Sequence, residues 1–444
     1  MAPNSPIMQA VEQLDYRATV GDVASRVGLD VKQAQQGLFA LASDAGGHLQ
    51  VAETGDIVYQ FPQNFRAILR NKFLRLRLQE WWEKVWRVLF YLIRISFGIL
   101  LIVSIVLIFV TISILLLYFR SSRDGDGDGG GGGDSGGGFF FFPYFWFGDI
   151  FWWFDPGYES TRQRQRQKQR KRSRQGRESD LNFLEAVFSF LFGDGNPNAD
   201  LEERRWQQIA TVIRNNNGAV VAEQIAPYLD DLGEGYDRDY EDYMLPVLSR
   251  FNGQPEVSPE GQIVYHFPEL QVTAGQGRSR PVSAYLQEAP WRFSQAGSGQ
   301  LILAAGLGAL NFVGALILGS LLADGTIAAE IGGLVAFVQS IYWVLLGYGT
   351  AFLGIPLIRY FWIQQKNGKI EQRNQQRQER TQVLAQPSDT LQKKLAYADR
   401  FAKQTAIGRE DLAYTTEKDL NEQELEQSDK IDEEWRRRLE SGSS

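Results

Sequence analysis

The chain has 444 residues and a formal net charge of −7, with no cysteine and only two histidines, His48 and His266. Without cysteine it forms no disulfide and offers no thiolate to a zinc ion or an iron–sulfur cluster. The sequence also lacks a Ser/His/Asp constellation, a P-loop and a dinucleotide-binding fingerprint. We therefore predict that the protein is not an enzyme and that it has no catalytic residues, no cofactor and no metal site.

A short motif occurs twice and aligns without a gap. Val51–Pro62 reads VAETGDIVYQFP, and Val257–Pro268 reads VSPEGQIVYHFP. A helical stretch precedes each copy, so the repeat predicts a duplicated small domain. We expect its glycines at tight turns that need positive φ and its aromatic residues in the domain core. The identical pairs that we assign as structural residues of the repeat are Gly55 and Gly261, Tyr59 and Tyr265, Phe61 and Phe267, and Pro62 and Pro268.

The predicted elements around each motif follow the order helix, helix, helix and two-stranded hairpin, which is the order of a winged helix. Thr19 is a favourable N-cap for the second helix, and Gly28 is a natural stop for it. In the first copy the helices are expected at Pro6–Leu14, Val20–Val27 and Val31–Ala42, and the strands at His48–Ala52 and Asp56–Phe61. In the second copy they are expected at Trp206–Arg214, Val220–Leu229 and Tyr243–Phe251, with the hairpin at Glu256–Phe267 and an acidic insertion at Asp230–Asp242.

Both predicted modules are acidic. Winged helices often bind DNA, which requires lysine and arginine to meet the phosphates. Residues 5–63 hold three basic residues against seven acidic ones, and residues 201–268 hold five against twelve. We therefore expect no nucleic acid as a partner and favour contact with protein partners. A membrane-tethered winged-helix transcription regulator is the alternative that this charge disfavours.

Three apolar stretches are long enough to cross a bilayer, for which about 20 residues suffice in a helix. They lie at residues 95–119, 301–322 and 331–357, and the first contains no charged residue. The approach to it, residues 64–94, mixes basic residues with tryptophans, which is typical of a helix in a lipid interface. The predicted fold class is an α-helical membrane protein that carries two α+β winged-helix-like soluble modules and contacts membrane lipid.

An aromatic segment, residues 139–154, has twelve aromatic side chains among its sixteen residues. Basic residues precede the first span and follow the third, so the positive-inside rule places both flanks on the cytoplasmic or stromal face. Three crossings do not return both ends to one side. We therefore expect this segment to bring the chain back, although the sequence leaves open whether it crosses, re-enters or lies on the membrane.

The predicted organisation combines these segments with linkers and a polar tail. Asp124, Asp126 and Asp128 mimic the start of an EF-hand loop, but the position for its bidentate Glu is Ser135, so a flexible linker is favoured. In chain order the segments are module 1 (1–63), a basic interfacial helix (64–94), span 1 (95–119), a Gly/Asp linker (120–138), the aromatic segment (139–154), a basic linker (155–180), module 2 with its acidic insertion (181–270), a linker (271–300), span 2 (301–322), span 3 (331–357) and a polar helical tail (358–444).

Several stretches resemble a little-characterised family of cyanobacterial and plastid membrane proteins. The resemblance lies in AVEQLDYRATVGDVASRVGLDVKQAQQGLFALASDAGGHLQVAETGDIVYQFPQNFRAIL, in FWWFDPGYE followed by an arginine run, and in IPLIRYFWIQQKNGKIEQRNQQRQ. It implies a thylakoid, plastid envelope or plasma membrane location. Plant members often carry an iron–sulfur-cluster-biosynthesis label, which a chain without cysteine fits only as an accessory protein that has no cluster ligands.

The leading hypothesis is a non-enzymatic integral membrane scaffold or assembly factor that presents two acidic modules to a protein partner. It depends on the duplicated module, its negative charge and the missing catalytic residues. A transporter or channel is disfavoured because the spans contain no ionisable residue that would mark a polar path. The sequence does not identify the partner, the biological process or the oligomeric state.

Overall fold

A computed structural model describes residues 5–72, 74–123, 181–235, 239–275, 279–323, 325–419, 421–423, 425 and 435–436. The aromatic segment 139–154, the basic linker 155–180 and most of the Gly/Asp linker 120–138 lie outside the described residues. Within them the chain is mostly helical, with small sheets.

The elements up to Arg123 comprise module 1 and one very long helix. They are α1 (Ser5–Gln13), β1 (Arg17–Thr19), α2 (Val20–Val27), α3 (Val31–Ala45), β2 (His48–Ala52), β3 (Ile57–Gln60), α4 (Phe65–Lys72) and α5 (Leu74–Arg123). The predicted interfacial helix and span 1 thus largely belong to one continuous helix, α5, because no proline or glycine pair interrupts the sequence there.

The elements from residue 181 onward begin with a short apolar helix and the second copy of the repeat. They are α6 (Phe183–Phe192), α7 (Leu201–Asn215), β4 (Ala219–Val220), α8 (Ala222–Ile225), α9 (Leu245–Phe251), β5 (Gln254–Val257), β6 (Ile263–His266), α10 (Pro268–Gln271) and β7 (Val272–Thr273). The remaining elements are α11 (Ser298–Leu321), α12 (Thr326–Ile331), α13 (Gly333–Ser340), α14 (Tyr342–Ala385), α15 (Asp389–Ala398), β8 (Thr405–Ala406) and β9 (Leu412–Thr415).

The chain forms two compact units. Unit 1 consists of Met1–Lys84, Pro197–Pro290 and Gly368–Ser444, and unit 2 consists of Val85–Asn196 and Trp291–Asn367. Unit 1 therefore unites both copies of the repeat with the C-terminal tail. The predicted module 2 starts at residue 181, whereas α6 packs in unit 2, because eight of its ten residues are apolar or aromatic and need a hydrophobic neighbour.

In unit 1, the two copies share one pattern of strand pairing. In the first, β3 lies between β1 and β2, and Tyr59 pairs with Ala18 on one side and Leu49 on the other. In the second, β6 lies between β4 and β5, and Tyr265 pairs with Val220 and Pro255. The first strand of each sheet, β1 or β4, is not predicted from the sequence, because a strand of two or three residues has no alternating pattern to detect.

The ends of α2 follow the local signals in the sequence. The Thr19 hydroxyl accepts the backbone N–H of Asp22 at 3.0 Å, and the Asp22 carboxylate accepts the backbone N–H of Thr19 at 3.0 Å, which forms a capping box. Gly28 ends the helix in the left-handed region at φ 76°. The predicted bounds of this helix, Val20–Val27, are confirmed because both stops are fixed by local chemistry.

The C-terminal tail contributes strands and a helix to unit 1. Strand β9 adds an antiparallel edge to β2, so the first sheet has the order β1-β3-β2-β9. Strand β8 pairs in parallel with β7. Helix α15 packs against the second copy, where Leu391 and Ala398 join Val221 and Val264 in one buried cluster.

Unit 2 contains most of the apolar helical surface. In the described residues, three helices are long and apolar enough to cross a membrane: Trp81–Ser121 within α5, α11 and α14. Small residues allow α11 and α14 to approach, since an added Cβ at Gly308 would collide with the Phe352 ring. Span 3, predicted at 331–357, is not one helix: Gly332 and Gly333, with φ of 66° and 51°, separate α12 from α13, and α13 ends at Ser340 before α14 begins at Tyr342.

Candidate functional site

The glycines of the repeat form the hairpin turns of the two sheets. Gly55 has φ 89° and Gly261 has φ 80°. Each donates its backbone N–H to a carbonyl three residues earlier, Ala52 for Gly55 and Ser258 for Gly261, at 2.9 Å in both copies. A Cβ at either glycine would meet no atom within 4 Å. Only the backbone conformation therefore restricts these two positions.

The aromatic residues and prolines of the repeat belong to the cores and helix starts of the modules. The Phe61 N–H donates to the Tyr16 carbonyl and the Phe267 N–H donates to the Gly218 carbonyl, both at 2.8 Å. Pro268 is the first residue of α10. The buried aromatic residues of the repeat are Tyr59, Phe61, Tyr265 and Phe267, and Pro62 accepts a hydrogen bond from the Phe65 N–H at the start of α4. These eight residues lie in two separate sheets, and they do not assemble into one chemical site.

The two copies pack against each other inside unit 1 through α2 and α7. The Asp22 carboxylate is the central group of this contact, with 4% of its side chain exposed. Its Oδ1 accepts from Arg214 Nη2 at 2.8 Å and from the Thr273 hydroxyl at 2.9 Å, while its Oδ2 accepts from the backbone N–H of Ala274 at 2.9 Å. The sequence gives no signal for this contact, because the partners are about 190 and 250 residues away along the chain.

Opposing effects act on the pKa of Asp22. Burial alone would raise the pKa of this carboxyl. The Arg214 guanidinium and the N–H groups of Ala274 and Thr19 favour the charged form more strongly, so the pKa lies below its ordinary value. Asp22 is therefore a buried carboxylate that stays charged at neutral pH and joins the two copies.

A polar cleft of about 960 Å³ lies beside this ion pair within unit 1. Two equivalent turns border it, Asp15-Tyr16 in the first copy and Asn217-Gly218 in the second, and all four residues have positive φ, between 53° and 79°. The charged residues that line the cleft are Asp15, Arg17, Asp22, Arg214, Arg280 and Arg409. The lining thus holds four arginines and two aspartates, although each copy of the repeat is acidic as a whole.

Arg17 ties the C-terminal tail to module 1 at the wall of the cleft. Its Nη1 donates to the carbonyl oxygens of Ala274 at 2.5 Å and Ile407 at 2.8 Å, and its Nη2 donates to that of Gly408 at 3.2 Å. Its Nε donates to the Gln50 side chain at 3.1 Å. These acceptors are neutral, so the contacts orient the guanidinium without cancelling its charge.

Arg280 lies in a strongly positive part of the cleft. Burial lowers the pKa of its guanidinium, and Arg26 and Arg214 lower it further, while Asp22 opposes them. Among the described residues, no acceptor lies within hydrogen-bonding or ion-pair distance of the Arg280 or Arg409 side chain. The net charge of each module does not reveal this cleft. The one local signal in the sequence is the turn before each first strand, where Asp or Asn occupies a left-handed position.

The acidic insertion of the second copy faces basic residues of the tail. Lys394 Nζ contacts a carboxylate oxygen of Glu223 at 2.9 Å and one of Glu241 at 2.6 Å, and Glu241 also accepts the Tyr265 hydroxyl at 2.8 Å. Arg377 pairs with Asp230. Part of the negative charge that we expected to be exposed on the second module is thus neutralised within unit 1.

The described residues contain no group of three or more His, Asp or Glu side chains placed to hold a metal ion. The two histidines have ordinary structural settings. His266 stacks on Phe401 with ring centroids 5.5 Å apart and lies 3.7 Å from Glu256, while His48 is in strand β2.

These features define a mostly helical chain with small antiparallel sheets and three long apolar helices. Over 445 aligned residues the chain is 39% identical to an uncharacterised chloroplastic protein of Arabidopsis thaliana. The alignment covers 97% of this chain and 81% of the relative, so the chain belongs to the same family. The relative's name mentions no iron–sulfur cluster. No family model and no solved structure matches the chain.

Proposed function

We propose that the protein is an integral membrane scaffold or assembly factor of plastids or their cyanobacterial relatives, that its two modules are winged helices, and that it acts by binding a protein partner. The winged-helix assignment is supported by the shared order of elements and by the equal register of the two sheets, in which Tyr59 and Tyr265 occupy the same central position. The plastid assignment is supported by the chloroplastic relative.

Insertion into a bilayer is supported by the apolar residues that face outward from the long helices. A helix surface that faces lipid needs no polar residues and is stable only when an apolar environment covers it. Exposed apolar residues of this kind occur on all three helices, and they include Leu100, Val103, Ile302, Val313, Val344 and Ile358.

A shared membrane face for both modules and the tail is supported by the composition of unit 1. Its first segment ends at the start of the first long helix, its second lies between the first and second helices, and its third begins in the polar C-terminal part of the third helix. Segments that fold into one unit must be on one side of a bilayer. We therefore propose that both modules and the tail occupy the same compartment, the cytoplasm or the stroma.

The protein-binding role is supported by an exposed apolar residue on the third helix of each module. Phe39 on α3 and Leu245 on α9 occupy the same position in the two copies, six residues before the end of the third helix, and they are 61% and 60% exposed. The neighbouring positions Leu38 and Met244 are buried. Large apolar side chains are exposed at the same place in both modules. Burying them against a protein partner would stabilise the complex.

The same helix surface is poorly suited to nucleic acid. The exposed residues of α3 include only one basic side chain, Lys32, among glutamines, alanine and serine. Phosphate contacts by lysine and arginine supply most of the affinity of a DNA-binding protein. The transcription-regulator alternative therefore lacks the side chains that it needs on this helix.

Site-specific photocrosslinking of the full-length protein in its native membrane tests the proposal. A photoreactive phenylalanine analogue at position 39 or 245 should give a discrete protein adduct. The matched control is position 257, since Val257 is equally exposed at 61% but lies in a hairpin strand. Adducts of equal yield at all three positions, or adducts with nucleic acid alone, would refute the assignment.

Substitution on the same helix gives an independent readout. Phe39→Glu should abolish the adduct formed from position 245 if one partner covers both helices, and it should leave thermal unfolding unchanged because the side chain is exposed. A gel shift of the detergent-solubilised chain with random DNA at low salt should show no complex. A salt-sensitive shift would favour the transcription-regulator alternative instead.

A further inference from the structure

We propose that the arginine-lined cleft of unit 1 is a binding site for a small, hydroxyl-rich phosphate ester. This ligand site is separate from the exposed helix residues that carry the proposed scaffold role. The starting observation is that the cleft contains four arginines, while its lining offers only two carboxylates, one of which is already paired with Arg214.

The walls of the cleft are fixed before any ligand binds. Arg17 is held by four hydrogen bonds to Gln50, Ala274, Ile407 and Gly408. Arg214 donates to the Ser25 hydroxyl at 2.9 Å in addition to its pair with Asp22. A site whose charged groups are already oriented loses little conformational entropy when it binds a ligand, which raises affinity.

The remaining positive charge is available to a ligand. Arg280 and Arg409 reach the cleft from two loops, one after β7 and one between β8 and β9. Neither guanidinium has an acceptor among the described residues, and Glu410 and Asp411, which follow Arg409 in the chain, do not line the cleft. Guanidinium groups bind phosphate with short, often bidentate, charge-assisted hydrogen bonds. A phosphate bound by either guanidinium in this cleft would therefore compensate a charge that the described residues leave unpaired.

The rest of the lining indicates what the phosphate is attached to. It consists mainly of amide and hydroxyl side chains, such as Gln13, Gln60, Thr211, Asn217, Ser279 and Gln404. Leu14 is the only large apolar residue in the lining. Pockets for aromatic bases or acyl chains are predominantly apolar. A polyhydroxylated phosphate ester, free or as the headgroup of a phospholipid, matches this lining better.

Calorimetric titration of the full-length protein in detergent with glucose 6-phosphate tests the proposal. Saturable binding is expected, with weakening at higher salt and no binding of glucose. Arg280→Gln and Arg409→Gln should each reduce the affinity by about 10-fold or more, as expected for the loss of a charge-assisted hydrogen bond. The charge-matched control is Arg70→Gln on α4, an exposed arginine outside the cleft, which should bind like the wild type.

Two further measurements separate the remaining outcomes. Arg280→Lys keeps the charge and should retain more affinity than Arg280→Gln, and equal melting temperatures establish that all variants are folded. In nanodiscs, phosphatidylglycerol should weaken glucose 6-phosphate binding relative to phosphatidylcholine if the ligand is a lipid headgroup, and it should have no effect if the ligand is a soluble ester. No saturable binding in detergent or in either nanodisc, or an equal loss of affinity in the Arg70→Gln control, would overturn the proposal.

Discussion

Replacing Asp22 by Asn should destabilise unit 1 strongly although the side chain keeps its shape. The carboxylate accepts hydrogen bonds from Arg214, Thr273, Ala274 and Thr19, two at each oxygen. An asparagine amide group turned toward Oδ2 would face two backbone N–H donors and leave both without an acceptor. The opposite orientation would turn the amide N–H groups toward the Arg214 and Thr273 donors, and in both orientations the Arg214 guanidinium loses its counter-charge.

The magnitude follows from these two cases. Each buried donor without an acceptor costs about 1–3 kcal/mol, and breaking a buried ion pair costs about 3–5 kcal/mol. We expect Asp22→Asn to lower the free energy of unfolding by about 3–5 kcal/mol. In a unit of this size each kcal/mol shifts the melting temperature by about 2–4 °C, so a decrease of roughly 10 °C is expected.

Thermal unfolding of the full-length chain in detergent, followed by tryptophan fluorescence, measures this effect. The matched control is Asp30→Asn, because Asp30 caps α3 near the surface and Asn caps helices equally well. A decrease of less than about 2 °C for Asp22→Asn, or one equal to that of the control, would show that the carboxylate does not join the two copies.

The direction in which pH changes the stability contributed by the Asp22–Arg214 pair follows from the pKa of Asp22. Because folding lowers the pKa of Asp22, its carboxylate stabilises the fold fully above the unfolded pKa of about 3.9. This contribution is lost as pH falls through the lower, folded-state pKa. The stability difference between the wild type and Asp22→Asn should therefore be constant near neutral pH and should shrink below about pH 4.

Three other predictions concern the hairpin turns, the tail and the membrane. Gly55→Val should reduce stability by about 1–3 kcal/mol because a β-branched residue is strained at positive φ, and unchanged melting of the full chain would contradict this. A stop codon at Leu412 removes β9 and should cause aggregation in size-exclusion chromatography, since the edge of β2 is then unpaired; a monodisperse profile would refute this role. On the natural cysteine-free background, Glu260→Cys and Arg400→Cys should react with a membrane-impermeant thiol reagent from one side and Thr326→Cys from the other. Labelling of Glu260→Cys and Arg400→Cys from opposite sides would refute the shared-face proposal.

The elements that could be predicted from the sequence are those with local causes. Helix α2 is bounded by its capping box and by Gly28, and both lie next to it in the chain. The paired strands of each hairpin follow from alternating residues around a glycine turn. The long apolar helices follow from composition, although the glycine pair at 332–333 interrupts the predicted third span.

The elements that could not be predicted depend on distant partners. Strand β9 has four residues and exists because the edge of β2 is available to it. The cleft forms because Arg17, Arg214 and Arg280, which are far apart in the chain, line the same cavity. No periodic pattern in the sequence predicts this. Lys394 of the tail neutralises part of the negative charge of the second copy, and the sequence of that copy alone does not indicate this contact.

The pairing of β2 with β9 has a consequence for the order in which the protein is made. The ribosome synthesises β2 before the three long apolar helices and β9 after them, so the outer edge of β2 is unpaired while these helices emerge. At about 5–20 residues per second this interval lasts tens of seconds. Nascent edge strands are prone to pair with other chains. Maturation of module 1 is therefore coupled to the synthesis of β9, and we expect nascent module 1 to need a chaperone or an early membrane contact during that time.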